Sequence, residues 1–179
     1  MLIPFTKILE KYRRESFSEA DKGTRFEELM LEYLWTDPKY SAFFTEIWLW
    51  RDFPFRKDFG TGHDVGIDLV AKTFFGEYVA IQAKCYQPGT QVDKADVDTF
   101  LSASGKQIAP DGKATYYSNR IIIATNDNWT SHASEAIVGQ QIPVTRIGLN
   151  QIQNAAIDWD KFFKGEKPWG VKADILKYQ

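Results

Sequence analysis

The chain has 179 residues and a net charge of −2, a length that suits one domain with a short appendage. Apolar residues at 44% allow a real core, and charged residues at 26% exclude a disordered chain. A single cysteine, Cys85, excludes a disulfide framework and a cysteine-rich zinc site, and the acidic balance excludes DNA binding by bulk charge, so any such affinity needs a local patch or a neighbouring domain.

The start, MLIPFTKILEKYRRESF, lacks a basic segment followed by an apolar core, so no secretory signal is expected. No apolar run nears the ~20 residues of a membrane span. With one cysteine, this suits a reducing cytoplasm.

In chain order, residues 4–15 read as a helix with Ile8, Leu9 and Tyr12 at helical spacing, and SFSEADKG reads as a loop. Residues 24–36 form the clearest helix, with Phe26, Leu29, Met30, Tyr33 and Leu34 on one face and TDP ending it. Its TRFE start reads as a capping box, Thr24 capping and Glu27 reaching back. FFTEIWLW has strand composition, and Trp48 and Trp50 at strand spacing suit packing. RDFPFRKDFGTGHDVG is a polar loop, in which Asp64 suits loop capping and His63 a solvated ring. A hairpin follows, GIDLVAKTFFGEYVAIQAK, then an Asp-capped helix in DKADVDTFLSAS. RIIIAT is a buried strand whose end, Thr125, suits a cap. TSHASEAIVGQ is a short helix holding a structural His132, IPVTRIG a strand, and NQIQNAAI a last turn or two. A block of strands followed by alternating helices and strands implies an α/β, α+β mixed sheet with helices on both faces.

The hairpin carries an unusual polar set. Alternation puts Ile67, Leu69 and Ala71 on one face and Asp68 and Val70 on the other; the second strand sets Val79, Ile81 and Ala83 against Ala80, Gln82 and Lys84. A loop of Phe75, Gly76 and Glu77 sets Asp68 opposite Lys84 and Leu69 opposite Ala83, with Gly76 in its middle. That register keeps the apolar face continuous, and a one-residue slip would turn every side chain over. Asp68, Gln82 and Lys84 then share one patch, interrupted by Val70 and Ala80 and so expected to be covered. A half-covered Asp–Lys pair is either a structural ion pair or a site.

Asp68, thirteen residues, then QAK resembles the D–QxK variant of the PD-(D/E)xK nucleases. GTRFEELMLEYL resembles the GxxFE helix of their Mrr-like branch, GHDVGIDLVA its GxDGGIDL strand, VDKADVDTFLSAS its following helix, and RIIIATNDNWTSHASEAI its strand–Thr–helix segment. The resemblance covers residues 22–150, leaving 1–21 as an N-terminal helix and loop and 151–179 as an extension or linker. It implies a restriction-endonuclease-like αβββαβ core and Mg²⁺-dependent hydrolysis of DNA, with Mn²⁺ able to substitute. Carried over, Asp68 is the central metal-binding carboxylate, Gln82 stands where most relatives have an acid, and Lys84 is the catalytic lysine. Glu27, or Glu28 if the helix turns otherwise, completes the metal site with the Ala83 carbonyl. Asp64 matches the aspartate of GxD; His63 beside it is a supporting candidate as ligand or base, and Thr125, near the family's hydroxyl position, a supporting candidate that touches DNA. Ile67 stands in place of the family's proline. Arg56, Lys57, Lys94 and Lys106 flank the site as candidate phosphate contacts.

Magnesium takes oxygen ligands and keeps several waters. Gln82 brings an oxygen without charge, so a second acid matters more here than in most relatives. The tail IDWDKFF…KPWGVK resembles the segment after the nuclease domain of type ISP restriction enzymes. That implies double-stranded DNA as substrate, and a helicase-like motor, a methyltransferase and a target-recognition part in the same polypeptide. Two nuclease domains would pair transiently for double-strand cleavage. An inactive DNA-binding or interaction module of the same fold, or a stand-alone junction or repair nuclease, are the alternatives.

Overall fold

A computed structural model describes residues 5–56 and 66–163. Seven helices and five strands follow one another along these residues. They are α1 (Phe5–Glu15), α2 (Glu19–Thr36), α3 (Pro38–Ser41), β1 (Phe44–Leu49), β2 (Leu69–Thr73), β3 (Tyr78–Lys84), α4 (Lys94–Ser104), β4 (Asn119–Ala124), α5 (Ser131–Ala136), β5 (Val144–Ile147), α6 (Leu149–Gln153) and α7 (Trp159–Phe163). None of the helices is long and apolar enough to cross a membrane.

The strands lie in chain order, β1-β2-β3-β4-β5. The first three are antiparallel neighbours, and β4 and β5 join in parallel. Parallel neighbours need a crossover, which α4 and α5 supply on one face. The expected mixed sheet is therefore present.

Two cores cover the sheet. On one face, Phe26, Leu29, Met30 and Leu34 of α2 pack with Ile8 and Leu9 of α1 against Leu69, Ala71, Val79, Ile81 and Ile123. On the other, Val97 and Phe100 of α4 and Ala133 of α5 pack against Val70, Ala80, Ile122 and Ala124. Each large apolar side chain so buried contributes about 1.5–3 kcal/mol. Trp48 and Trp50 belong to the second core, within 5.4 and 5.8 Å of the Phe53 ring. The expected N-terminal and C-terminal appendages both contribute to the first core. Phe5 of α1 and Trp159 of α7 have ring centroids 4.7 Å apart, and Ile152 of α6 is fully buried.

Three local expectations are corrected. First, α2 begins at Glu19, not Thr24: Ser18 caps it by accepting the Asp21 N–H at 3.0 Å, and Thr24 instead donates to the Ala20 carbonyl within the helix. The SEAD segment satisfies the first free N–H groups earlier than the TRFE segment could. Second, the hairpin pairs Leu69 with Ile81, not Ala83, and Asp68, whose N–H donates to the Ile81 carbonyl, is not set opposite Lys84. The loop is Phe74, Phe75 and Gly76, closed by Gly76 N–H to the Thr73 carbonyl at 2.9 Å and Thr73 N–H to the Glu77 carbonyl at 2.8 Å. Gly76 is last in it, with φ +78°, the left-handed geometry that a three-residue hairpin asks of that place. Third, Ile67 and Leu69 do not share a face. Ile67 belongs to the α4 core and Leu69 to the α2 core.

Candidate active site

That change of face falls on Asp68. Its N–H donates to the Ile81 carbonyl at 2.9 Å, one residue out of step with the Leu69–Ile81 ladder. Its Oδ2 accepts the N–H of Ala83 at 2.9 Å. The carboxylate is thereby bonded to the main chain of Ala83, the residue between Gln82 and Lys84. Backbone irregularity at a strand start re-aims a side chain, and here it fixes an acid against the next strand.

Glu27, on α2, lines with Asp68 a cavity of about 150 Å³ whose other walls are Leu49, Trp50, Arg51 and Ile67. Because α2 begins five residues earlier than the sequence suggests, Glu27 sits in mid-helix, where no capping duty exists. Glu28 instead points to Arg51, 3.0 Å away, in an exposed pair on the rim of that cavity.

Gln82 and Lys84 lie on the α4 side of β3, in step with Ala80, while Val79, Ile81 and Ala83 face α2. The Lys84 ammonium reaches forward to α4, 2.7 Å from the Asp96 Oδ1. It also stands 5.2 Å from the centre of the Tyr86 ring, and the Tyr86 hydroxyl donates to Asp96 Oδ2 at 2.9 Å. Burial alone would raise the Asp96 carboxyl; the hydrogen bonds from Lys84 and Tyr86, helped by the lysine charge, outweigh it and hold the carboxyl below its ordinary value.

Thr125 closes the end of β4 upon β3. Its Oγ1 accepts the Tyr86 N–H at 2.7 Å, and its own N–H donates to the Lys84 carbonyl at 3.2 Å. Arg13 of α1 donates to the Tyr86 carbonyl at 2.8 Å. These residues border a larger cavity of about 650 Å³ at the carboxyl ends of β3 and β4, with Asn126 and Asn128 on its far wall. The ends of parallel strands are where such sheets commonly bind ligands. Burial pushes the Cys85 thiol up, away from nucleophilic thiolate. His132 is exposed, 3.9 Å from Glu135.

Of the expected phosphate contacts, Arg56 donates to the Arg51 carbonyl at the edge of the smaller cavity. Lys94 is exposed in the first turn of α4, paired with Asp98. Lys106 follows the last turn of α4, a helix length of ~15 Å from Asp96, and so is not gathered with the rest. His63, Asp64 and Lys57 lie outside the described residues. Asp96, Tyr86 and Arg13 escaped the sequence reading; the only hint was that Lys84 has to face whatever covers Val70 and Ala80.

Among the described residues, no three His, Cys, Asp or Glu side chains gather for a metal ion. Two carboxylates do meet at one cavity, and the other candidate donors, the Gln82 amide and the Ala83 carbonyl, are neutral oxygens on the strand to which Asp68 is bonded. Gln82 and Ala83 do not line that cavity, so the structure brings together two of the expected donors; oxygen donors with two acids are of the kind a hard cation takes.

The restriction endonuclease family, of Mrr-like type, matches residues 35–168. Among solved structures, the chain is similar to the ATP-dependent Type ISP restriction-modification enzyme LlaBIII bound to DNA, at 32% identity and a TM-score of 0.67 over 86% of this chain. It spans 9% of the length of that enzyme. The MspJI restriction endonuclease in complex with a 27-mer oligonucleotide aligns at 19% identity over 51% of this chain and 20% of its own, with a TM-score of 0.34. No curated protein matches the chain. The succession α2, β1, β2, β3, α4, β4 is the αβββαβ core that the sequence implies.

Proposed function

The chain belongs to the Mrr-like restriction endonuclease family, and from that premise we propose that it is a Mg²⁺-dependent nuclease domain hydrolysing phosphodiester bonds of double-stranded DNA. The observation that supports this most is the meeting of Glu27 and Asp68 at one cavity while Asp68 is bonded to the main chain of Ala83, between Gln82 and Lys84.

Asp68, Glu27, Gln82 and the Ala83 carbonyl would hold the ion, with Mn²⁺ able to take its place. Bound there, the metal supplies a water of lowered pKa and a positive charge for the phosphate. Asp68 and Glu27 bring the negative charge that Gln82 lacks. The Asp68–Ala83 hydrogen bond holds the acid in register with the strand bearing the lysine. Lys84 would supply an ammonium for the charge that builds on the phosphate oxygens. Arg51, paired with Glu28 of α2, Arg56, which donates to the Arg51 carbonyl, and Lys94 of α4 would contact the flanking backbone.

The likeness to LlaBIII over 86% of this chain and 9% of that one supports a further reading. The chain acts as the nuclease part of a longer cytoplasmic restriction-modification polypeptide with a helicase-like motor, a methyltransferase and a target-recognition part. A net charge of −2 agrees, because a motor rather than the nuclease would hold the DNA. Two such domains pairing transiently would cut both strands.

Plasmid nicking with Mg²⁺ tests the catalytic reading. Wild type should nick and EDTA should stop it. Asp68→Ala, Glu27→Ala and Lys84→Ala should each lose at least about 100-fold. Equal nicking by wild type and all three variants removes the assignment. Wild type that shifts DNA in a gel yet never nicks it makes the chain a binding module.

A further inference from the structure

We propose that Asp96 and Tyr86 form a positioning device for Lys84, holding its ammonium for the phosphate; this rests on the reading of Lys84 as catalytic. A lysine on the end of a strand has four rotatable bonds and no preferred direction, whereas in catalysis a misplacement of about 1 Å can cost about 100-fold in rate. The Lys84 side chain is 44% exposed, so packing alone does not fix it.

Three contacts do. Asp96 Oδ1 takes the ammonium at 2.7 Å, the Tyr86 ring lies 5.2 Å below it, and the Tyr86 hydroxyl fastens the second oxygen of the same carboxylate at 2.9 Å. With both oxygens engaged, the Asp96 carboxylate cannot swing and carry the lysine with it. Each partner is itself tied down. The Asp96 N–H donates to the capping Asp93 at 3.0 Å, which fixes the start of α4. The Tyr86 backbone is gripped on its N–H by Thr125 at 2.7 Å and on its carbonyl by Arg13 at 2.8 Å. The grip therefore draws on α1, the loop after β3, the end of β4 and the start of α4.

A purely stabilising ion pair is a poor account of this arrangement. Its side chains are 44% and 28% exposed, a setting in which ion pairs contribute little to stability. What the arrangement does supply is direction. Asp96 does not line the cavity of the two carboxylates proposed for the metal, so its removal is directed at the lysine rather than at those acids.

The test is single-turnover and steady-state nicking with Mg²⁺ by Asp96→Asn, Asp96→Glu and Tyr86→Phe, beside Lys84→Ala, all with melting curves. We expect Asp96→Asn to lower kcat about 10- to 100-fold, with KM for DNA and the Mg²⁺ requirement changed less than about twofold. Asp96→Glu should recover part of it, and Tyr86→Phe should lower kcat about 3- to 10-fold. In a Lys84→Ala background, Asp96→Asn should add nothing. Wild-type kcat in Asp96→Asn beside an inactive Lys84→Ala overturns the device and leaves the catalytic reading intact. Wild-type activity in Lys84→Ala overturns the catalytic reading itself. A change confined to KM makes Asp96 a DNA contact and also overturns the device. Should Asp96→Asn fail to fold, Tyr86→Phe decides, and an unchanged kcat there overturns the proposal.

Discussion

The carboxylate of Asp68 and the backbone N–H of Ala83 are 2.9 Å apart, a side chain of one strand bonded to the main chain of the next. The bond separates two duties of Asp68 that substitution can pull apart. Asp68→Asn keeps an acceptor oxygen, so we expect its stability within about 0.5 kcal/mol of wild type while nicking falls at least about 100-fold. Asp68→Ala loses the acceptor too and should be destabilised by about 1 kcal/mol in urea unfolding. Equal stability of the two variants would show that the bond contributes nothing.

The start of α2 can be checked away from the chemistry. Ser18→Ala removes the cap that accepts the Asp21 N–H and should cost about 1 kcal/mol. Thr24→Ala, inside the helix, should be neutral or stabilising by a few tenths of a kcal/mol. The reverse order of the two in thermal melts would restore the later helix start.

The hairpin loop makes a third case. At φ +78° any side chain on Gly76 is strained, although no atom stands within 4 Å of the place a Cβ would take. Gly76→Ala should therefore cost about 1 kcal/mol from backbone conformation alone. A loss of that size without loss of specific nicking by the folded fraction is the expected result, because the loop lies at the end of β3 away from Lys84.

Stability at acid pH should carry the mark of Asp96. Its carboxyl is held below the ordinary value of 3.8, because its hydrogen bonds and the Lys84 charge outweigh burial. A depressed carboxyl contributes stability that is present above the unfolded value and lost as pH falls through the folded one. The urea midpoint of wild type should thus fall below about pH 4. Because the pair is partly exposed, Asp96→Asn should start no more than about 0.5 kcal/mol lower and decline slightly less over the same range; parallel curves would mean that the pair is not coupled to folding.

Much of this was legible because it was local. The apolar spacing of Phe26, Leu29, Met30 and Tyr33 gave α2, and Asp93 gave the start of α4, since period and cap are written in consecutive residues. The parity of Gln82 and Lys84 was legible for the same reason. The offset of the hairpin was not. Gly76 could sit in the middle or at the end of a three-residue loop, and either choice keeps the faces. Nor was the change of face at Asp68, since strict alternation is an assumption that one irregular hydrogen bond undoes. Asp96 stayed hidden because its partner, Lys84, is joined to it only by how α4 lies on the sheet.

The sheet's order has a consequence for how the chain is built. Each strand lies beside the one made just before it, so a chain emerging from its N-terminus can add strands at a single growing edge. No finished strand has to be prised from a neighbour to admit a latecomer. The three antiparallel strands can assemble while the segment carrying Asp96 is still unmade, and the arrival of that segment is the moment at which the lysine ceases to swing.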